Sequence, residues 1–107
     1  MTNTLPTPTS VSRLIDYQTG SVVSRELLST SGGTITLFAF DQDQGLSEHT
    51  APFDAFVFVL EGKVQITIAG QPHQLQSNDV FTLPANKPHA LKALAPFKML
   101  LVMIKST

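Results

Sequence analysis

The sequence has no cysteine and no tryptophan, only 14% charged residues, and no long apolar run. Without cysteine there is no disulfide framework, no thiolate metal site and no cysteine nucleophile, so any metal has to be held through nitrogen and oxygen ligands. Seven basic against eight acidic residues give a formal charge of -1, with no Lys/Arg cluster to neutralise a run of phosphates. No apolar stretch approaches the ~20 residues a membrane span requires, and the opening MTNTLPTPTSVSRL has neither the basic start nor the apolar centre of a secretory signal. The expectation is a soluble cytoplasmic protein with no nucleic-acid partner and no membrane partner.

What is present is apolar. Hydrophobic residues make up 42% of 107 residues while charged ones are 14%, against about 25% in a typical domain, and this implies that part of the surface is covered by a second subunit. A homodimer is expected. Residues 1–10 hold four Thr, one Ser and two Pro, and the stretch 1–20 reads as an N-terminal tail, flexible or loosely docked. Residues 21–107 read as a single domain.

From Ser21 onward, segments rich in Val, Ile, Phe and Thr recur between turn signals: SVVSRELL, TITLFAF, DAFVFVL, VQITIA, DVFTL, HALKAL and KMLLVMI. Nothing sustains a helical period, and the spacing is all-β. Glu61-Gly62 reads as a two-residue hairpin loop that sets Val59 opposite Val64, Val57 opposite Ile66 and Ala55 opposite Ile68. That aliphatic face belongs inside. The other face carries Asp54, Phe56, Phe58 and Leu60 and suits a sheet or subunit contact.

Two histidines sit beside these segments, His49 in HTAPFDAFVFVLEG and His89 in LPANKPHALKA. Strand alternation groups His89 with Leu91 and Ala93, opposite Lys92, so His89 points inward if Lys92 is solvated. His49 shares a face with Ala51. A small barrel would bring the two imidazoles together as the polar centre of a pocket walled by Val57, Val59, Val64, Ile66 and Ile68. The plainer alternative is a pair of core histidines satisfied by hydrogen bonds to each other, to water or to backbone. His73, in GQPHQL, reads as a solvated turn residue. Met99 and Met103 share a face of the last strand, as core fillers or as part of the pocket. Arg25 and Glu26 read as a surface or subunit-contact pair.

With these motifs in view, the chain resembles the cupin superfamily, and HTAPFDAFVFVLEG, PANKPHALKA and FKMLLVMIK resemble its short single-domain bacterial members, the conserved-barrel cupin 2 type. The resemblance spans roughly Ser21 to Lys105 and implies a double-stranded β-helix, the jelly-roll barrel. It also implies a metal site of three histidines and a glutamate. His49 and His89 stand at two of those positions, whereas the second histidine of the first motif falls at Ala51 and the glutamate at Ala55. In the second motif Pro84 and His89 are kept, the glycines fall at Asn78 and Asn86, and the asparagine falls at Ala93.

Together these readings lead to an expected pocket of His49, Ala51, Ala55, Val57, Ile66, His89 and Met103 that binds a small organic ligand. His49 and His89 are the candidate ligands for a weakly held divalent transition metal (Fe, Mn, Ni, Cu or Zn). The alternative is a metal-dependent cupin enzyme, a dioxygenase or isomerase acting on a small organic acid, diketone or phenol.

Overall fold

Apolar alternation demands that each strand hide one face, and the structure, a computed structural model that describes residues 5–105, meets that demand with two facing sheets. The strands are β1 (Val22–Thr30), β2 (Gly33–Phe40), β3 (Gly45–His49), β4 (Asp54–Glu61), β5 (Lys63–Ile68), β6 (Gln71–Gln76), β7 (Val80–Leu83), β8 (His89–Ala93) and β9 (Phe97–Ile104). One sheet runs β1-β2-β9-β4-β7 and the other β3-β8-β5-β6, with every pairing antiparallel. The chain is therefore all-β, a jelly-roll barrel of the double-stranded β-helix kind. Among the described residues no helix is long and apolar enough to cross a membrane.

The expected β4–β5 hairpin does not form. β4 pairs with β7 and β9, β5 pairs with β6 and β8, and the two strands lie in opposite sheets. Gly62 is a corner between sheets, not a hairpin loop: its φ is +87°, and a Cβ there would overlap the Pro96 carbonyl oxygen and the Phe97 backbone. The inward assignment of Ala55, Val57, Val59, Val64 and Ile66 nevertheless stands, because both strands face the same interior. All five are buried.

Two strands carry no apolar alternation and were not expected, β3 and β6. Both are edge strands, where one side of the ladder meets solvent and little side-chain burial is needed. Leu75 is the one buried residue of β6, and Pro72 occupies a position that a central strand would not tolerate. His73 accordingly lies on a strand rather than in a turn, exposed but with its ring 4.8 Å from that of Phe81.

The interior is built on Phe40 stacked against Phe97 (4.5 Å between centroids) with Val57, Val59, Val64, Ile66, Met99 and Ala93 around them. Each large side chain fully buried here contributes about 1.5–3 kcal/mol. A second, smaller core lies on the outer face of the five-stranded sheet, where Leu37 and Ala39 are covered by Ile15. Of the N-terminal stretch, residues 1–4 lie outside the described residues, residues 5–10 are exposed, and residues 11–17 dock on that face through a single 3-10 turn, Val11–Arg13. Polar clasps hold it. Arg25 donates to the Leu14 carbonyl (2.9 Å), Lys98 donates to the Ser12 carbonyl (3.0 Å), and the Tyr17 hydroxyl donates to Glu61 (2.6 Å). The Lys98 ammonium, though the residue is only 7% exposed, also lies 5.1 Å over the Tyr17 ring. Arg25 thus anchors its own chain's N-terminal segment.

Candidate functional site

His49 closes β3 and His89 opens β8, and the two residues are direct partners across the β3–β8 ladder. In β8 the alternation does what the sequence implies: His89, Leu91 and Ala93 are buried and Lys92 is exposed. In β3 a bulge between Leu46 and His49 is needed, since Leu46 pairs with Leu91 and His49 with His89. Three residues of β3 therefore span what two span in β8, and this lets both Leu46 and His49 face the same cavity.

The imidazole rings lie 4.3 Å apart, centroid to centroid, at 66°. Each is oriented by the backbone two residues before it: His49 Nδ1 lies 2.8 Å from the Ser47 carbonyl oxygen and His89 Nδ1 lies 3.3 Å from the Lys87 carbonyl oxygen. A carbonyl has no proton to give, so Nδ1 is the protonated nitrogen in both rings. His89 is 9% exposed, whereas His49 sits at the exposed rim. Burial pushes the His89 pKa below the ordinary histidine value, only partly countered by its bond to the Lys87 carbonyl, and a charge on His49 would lower it further. His89 is neutral at pH 7.

The rim of the cavity is fixed by three hydrogen bonds to the adjoining loops. Asn86 N–H donates to the Ala51 carbonyl (2.7 Å), Ala69 N–H donates to the Pro88 carbonyl (2.8 Å), and Ala85 N–H donates to Asp54 Oδ1 (2.8 Å). Asn86 (φ +65°) and Asn78 (φ +73°), which stand where the resemblance implies glycines, both occupy the left-handed region. Asparagine tolerates that region better than other L-residues, so the turns survive the loss of glycine.

The enclosed space is about 60 Å³, room for on the order of four or five water-sized groups. Of the residues expected to line it, His49, Ala51, Ala55, His89 and Met103 do. Val57 and Ile66 do not: both are 0% exposed and close-packed in the core, together with Val59 and Val64. Ile68 packs against the same core without reaching the cavity wall. Sequence reading left Met99 between core and pocket and missed Leu46, Phe53, Leu83, Leu91 and Leu101 on the wall. The parity of β9 was a usable signal for three of the lining residues, because Met99, Leu101 and Met103 alternate on one face of that strand.

The donor set does not fit a resident metal. Ala51 and Ala55, at the positions that the resemblance assigns to a histidine and a glutamate, put methyl groups on the cavity wall. Asp54 is exposed and uses Oδ1 to accept from Ala85. Among the described residues no group of three or more His, Cys, Asp or Glu side chains is placed to hold a metal ion. Two imidazoles alone fall short of the three or four protein ligands usual at stable first-row sites. Chemically the site offers two nitrogen acceptors in an otherwise apolar wall, with no carboxylate and no nucleophile.

Comparison with known proteins agrees with this architecture. The Cupin domain family matches residues 36–104. A conserved protein of unknown function from Streptococcus pyogenes is 30% identical, with a TM-score of 0.91 over 96% of this chain and 90% of that one. A cupin superfamily protein from Desulfitobacterium hafniense is 28% identical, with a TM-score of 0.91 over 99% and 97%. A cupin 2 conserved barrel domain protein from Leptotrichia buccalis is 34% identical, with a TM-score of 0.86 over 89% of this chain and 46% of that one. No curated protein matches.

Proposed function

This chain belongs to the cupin domain family, and from that premise we propose that it is a small-molecule binding protein whose ligand occupies the cavity between His49 and His89. The observation that carries the reading is the cavity itself: two convergent imidazoles at one end of an apolar enclosure, with alanine at Ala51 and Ala55 where bulkier polar groups would fill it. A few placed polar groups on an apolar wall are the usual make-up of a ligand site. The fold alone does not select this function, since the same architecture serves many.

The competing reading, a metal-dependent dioxygenase or isomerase, requires a metal retained by His49 and His89 with water or substrate as the remaining ligands. Elemental analysis of tag-free protein separates the two. The binding reading expects Fe, Mn, Ni, Cu and Zn far below one per chain, unchanged by His49→Ala or His89→Ala. Near-stoichiometric metal that either substitution removes would replace it with the enzyme.

The same reading includes a homodimer. Leu28, Ile35, Val102 and Phe56 follow one another across four strands of the outer face, beyond the docked N-terminal segment, with Ile104 alongside. Leu28, Phe56 and Ile104 are exposed. A largely apolar patch of this kind, with Asp54 at its edge beside Ile104, suits an isologous contact, in which the same surface of two copies meets itself.

A further inference from the structure

We infer that the ligand of this cavity is a neutral hydroxyl compound on a short hydrocarbon body, bound by donating its O–H to the imidazole Nε2 atoms of His49 and His89. The inference rests on the pocket reading above and narrows it.

The reasoning starts from the backbone. In each ring Nδ1 faces a main-chain carbonyl two residues earlier, Ser47 for His49 and Lys87 for His89, and that bond consumes the one proton a neutral imidazole carries. In the neutral form of each ring, Nε2 is then left as a bare lone pair. The remaining wall, which includes Leu46, Ala51, Ala55, Leu83 and Met99, has hydrocarbon and thioether side chains that donate no hydrogen bond. The side chains of the cavity are all acceptors or inert, so the ligand must bring the proton.

This requirement sorts ligand classes. A carboxylate or phosphate would set its oxygen lone pairs against two nitrogen lone pairs, with no side-chain donor and no fixed cation on the wall, and its desolvation would go uncompensated. An ammonium would supply donors, but its charge would meet no carboxylate on the wall. An ether or ketone would leave both Nε2 atoms unsatisfied. A hydroxyl satisfies one of them directly, and a diol satisfies both. The volume of about 60 Å³ limits the body to a few carbons.

The experiment uses three probes of nearly equal size on the intact, EDTA-treated protein at neutral pH: 1-butanol, its isomer methyl propyl ether, which lacks the donor, and butyrate. Binding is followed by the methyl resonances of Met99 and Met103, and the protonated nitrogen of each histidine is read from long-range 1H–15N spectra. The expected result is Nδ1–H in both rings, 1-butanol bound about tenfold more tightly than the ether, the ratio that one net hydrogen bond supplies, and butyrate weakest. In His49→Ala, a substitution at the exposed rim, the preference for butanol over ether should shrink. Equal binding of butanol and ether would overturn the hydroxyl inference and leave the pocket reading intact. Tightest binding by butyrate, or an Nε2–H ring in either histidine, would also overturn it. If no probe moves the Met99 and Met103 methyls, both the inference and the pocket reading fall.

Discussion

The two faces of the five-stranded sheet are both apolar, yet they are closed by different means and to different extents. Its inner face meets a second sheet, and Val57, Val59, Phe40 and Phe97 are sealed completely, with a cavity at the end where His49 and His89 converge. Its outer face meets seven residues of the N-terminal segment, which seal Leu37 and Ala39 at one end and leave Ile104 58% exposed at the other. Sheet against sheet removes water from a whole face at once, whereas a single strap covers only what it touches. The inner face consequently hosts an enclosed pocket, and the outer face keeps a bare patch.

That contrast is open to direct test, the largest effects first. Phe97→Ala should cost about 3–5 kcal/mol by chemical denaturation, since the hole it leaves is walled by two sheets that cannot collapse into it. Ile15→Ala should cost about 2 kcal/mol, at the low end for such truncations, because a strap can resettle. A larger loss for Ile15→Ala than for Phe97→Ala would mean that the outer core, not the barrel interior, holds the fold.

The two faces also differ in their response to pH. His89 has a lowered pKa in the folded protein, so the unfolded chain takes up its proton first as pH falls below the ordinary value of 6.5, and stability declines from there. Tyr17, on the outer face, is opposite in sign. Its burial, its hydrogen bond to Glu61 and the charge on Glu61 raise its pKa above the ordinary 10.0, so the stability it contributes is complete below that pH and falls as pH rises past it. Thermal melts from pH 5 to 11 should show both limbs. His89→Leu should flatten the acid limb alone and Tyr17→Phe the alkaline limb alone, the latter at a cost of about 1 kcal/mol at neutral pH for the lost hydrogen bond. A variant that flattened both limbs would show that the two faces do not act separately.

The smallest expected effect is at the bare end of the outer face. Ile104→Ser should change the stability of the monomer by no more than about 0.5 kcal/mol. In light scattering the same substitution should weaken the proposed dimer. A dimer of unchanged strength would place the subunit contact elsewhere.

Much of the inner face was legible in the sequence. Alternation in 54–61 and 63–68 assigned the buried side of β4 and β5 although the partner strands were wrong, because alternation reports burial and not which strand lies alongside. The expected convergence of His49 and His89 is realised, but the pocket wall was only partly legible. Val57 and Ile66 are inward, as read, but lie too deep to touch the cavity, and Leu46 reaches it through a bulge that no periodicity announces. The outer core was not legible at all. The residues that cover it follow a stretch rich in Ser, Thr and Pro, and their docking depends on single contacts that no local period encodes, Ile15 on Leu37 and Ala39, Arg25 to Leu14, and Lys98 to Ser12.

The sequence by itself determined the all-β class and the inward side of its strands, with His89 on that side of β8. These follow from residue type and from the two-residue period of a strand, both of which are local. Only the tertiary structure decided that Gly62 turns between sheets, that β3 bulges to aim His49, that carbonyls of Ser47 and Lys87 set both imidazole tautomers, and where the cavity ends. Each of those depends on how closely distant pieces of backbone approach one another, and the order of residues along a chain does not carry that distance.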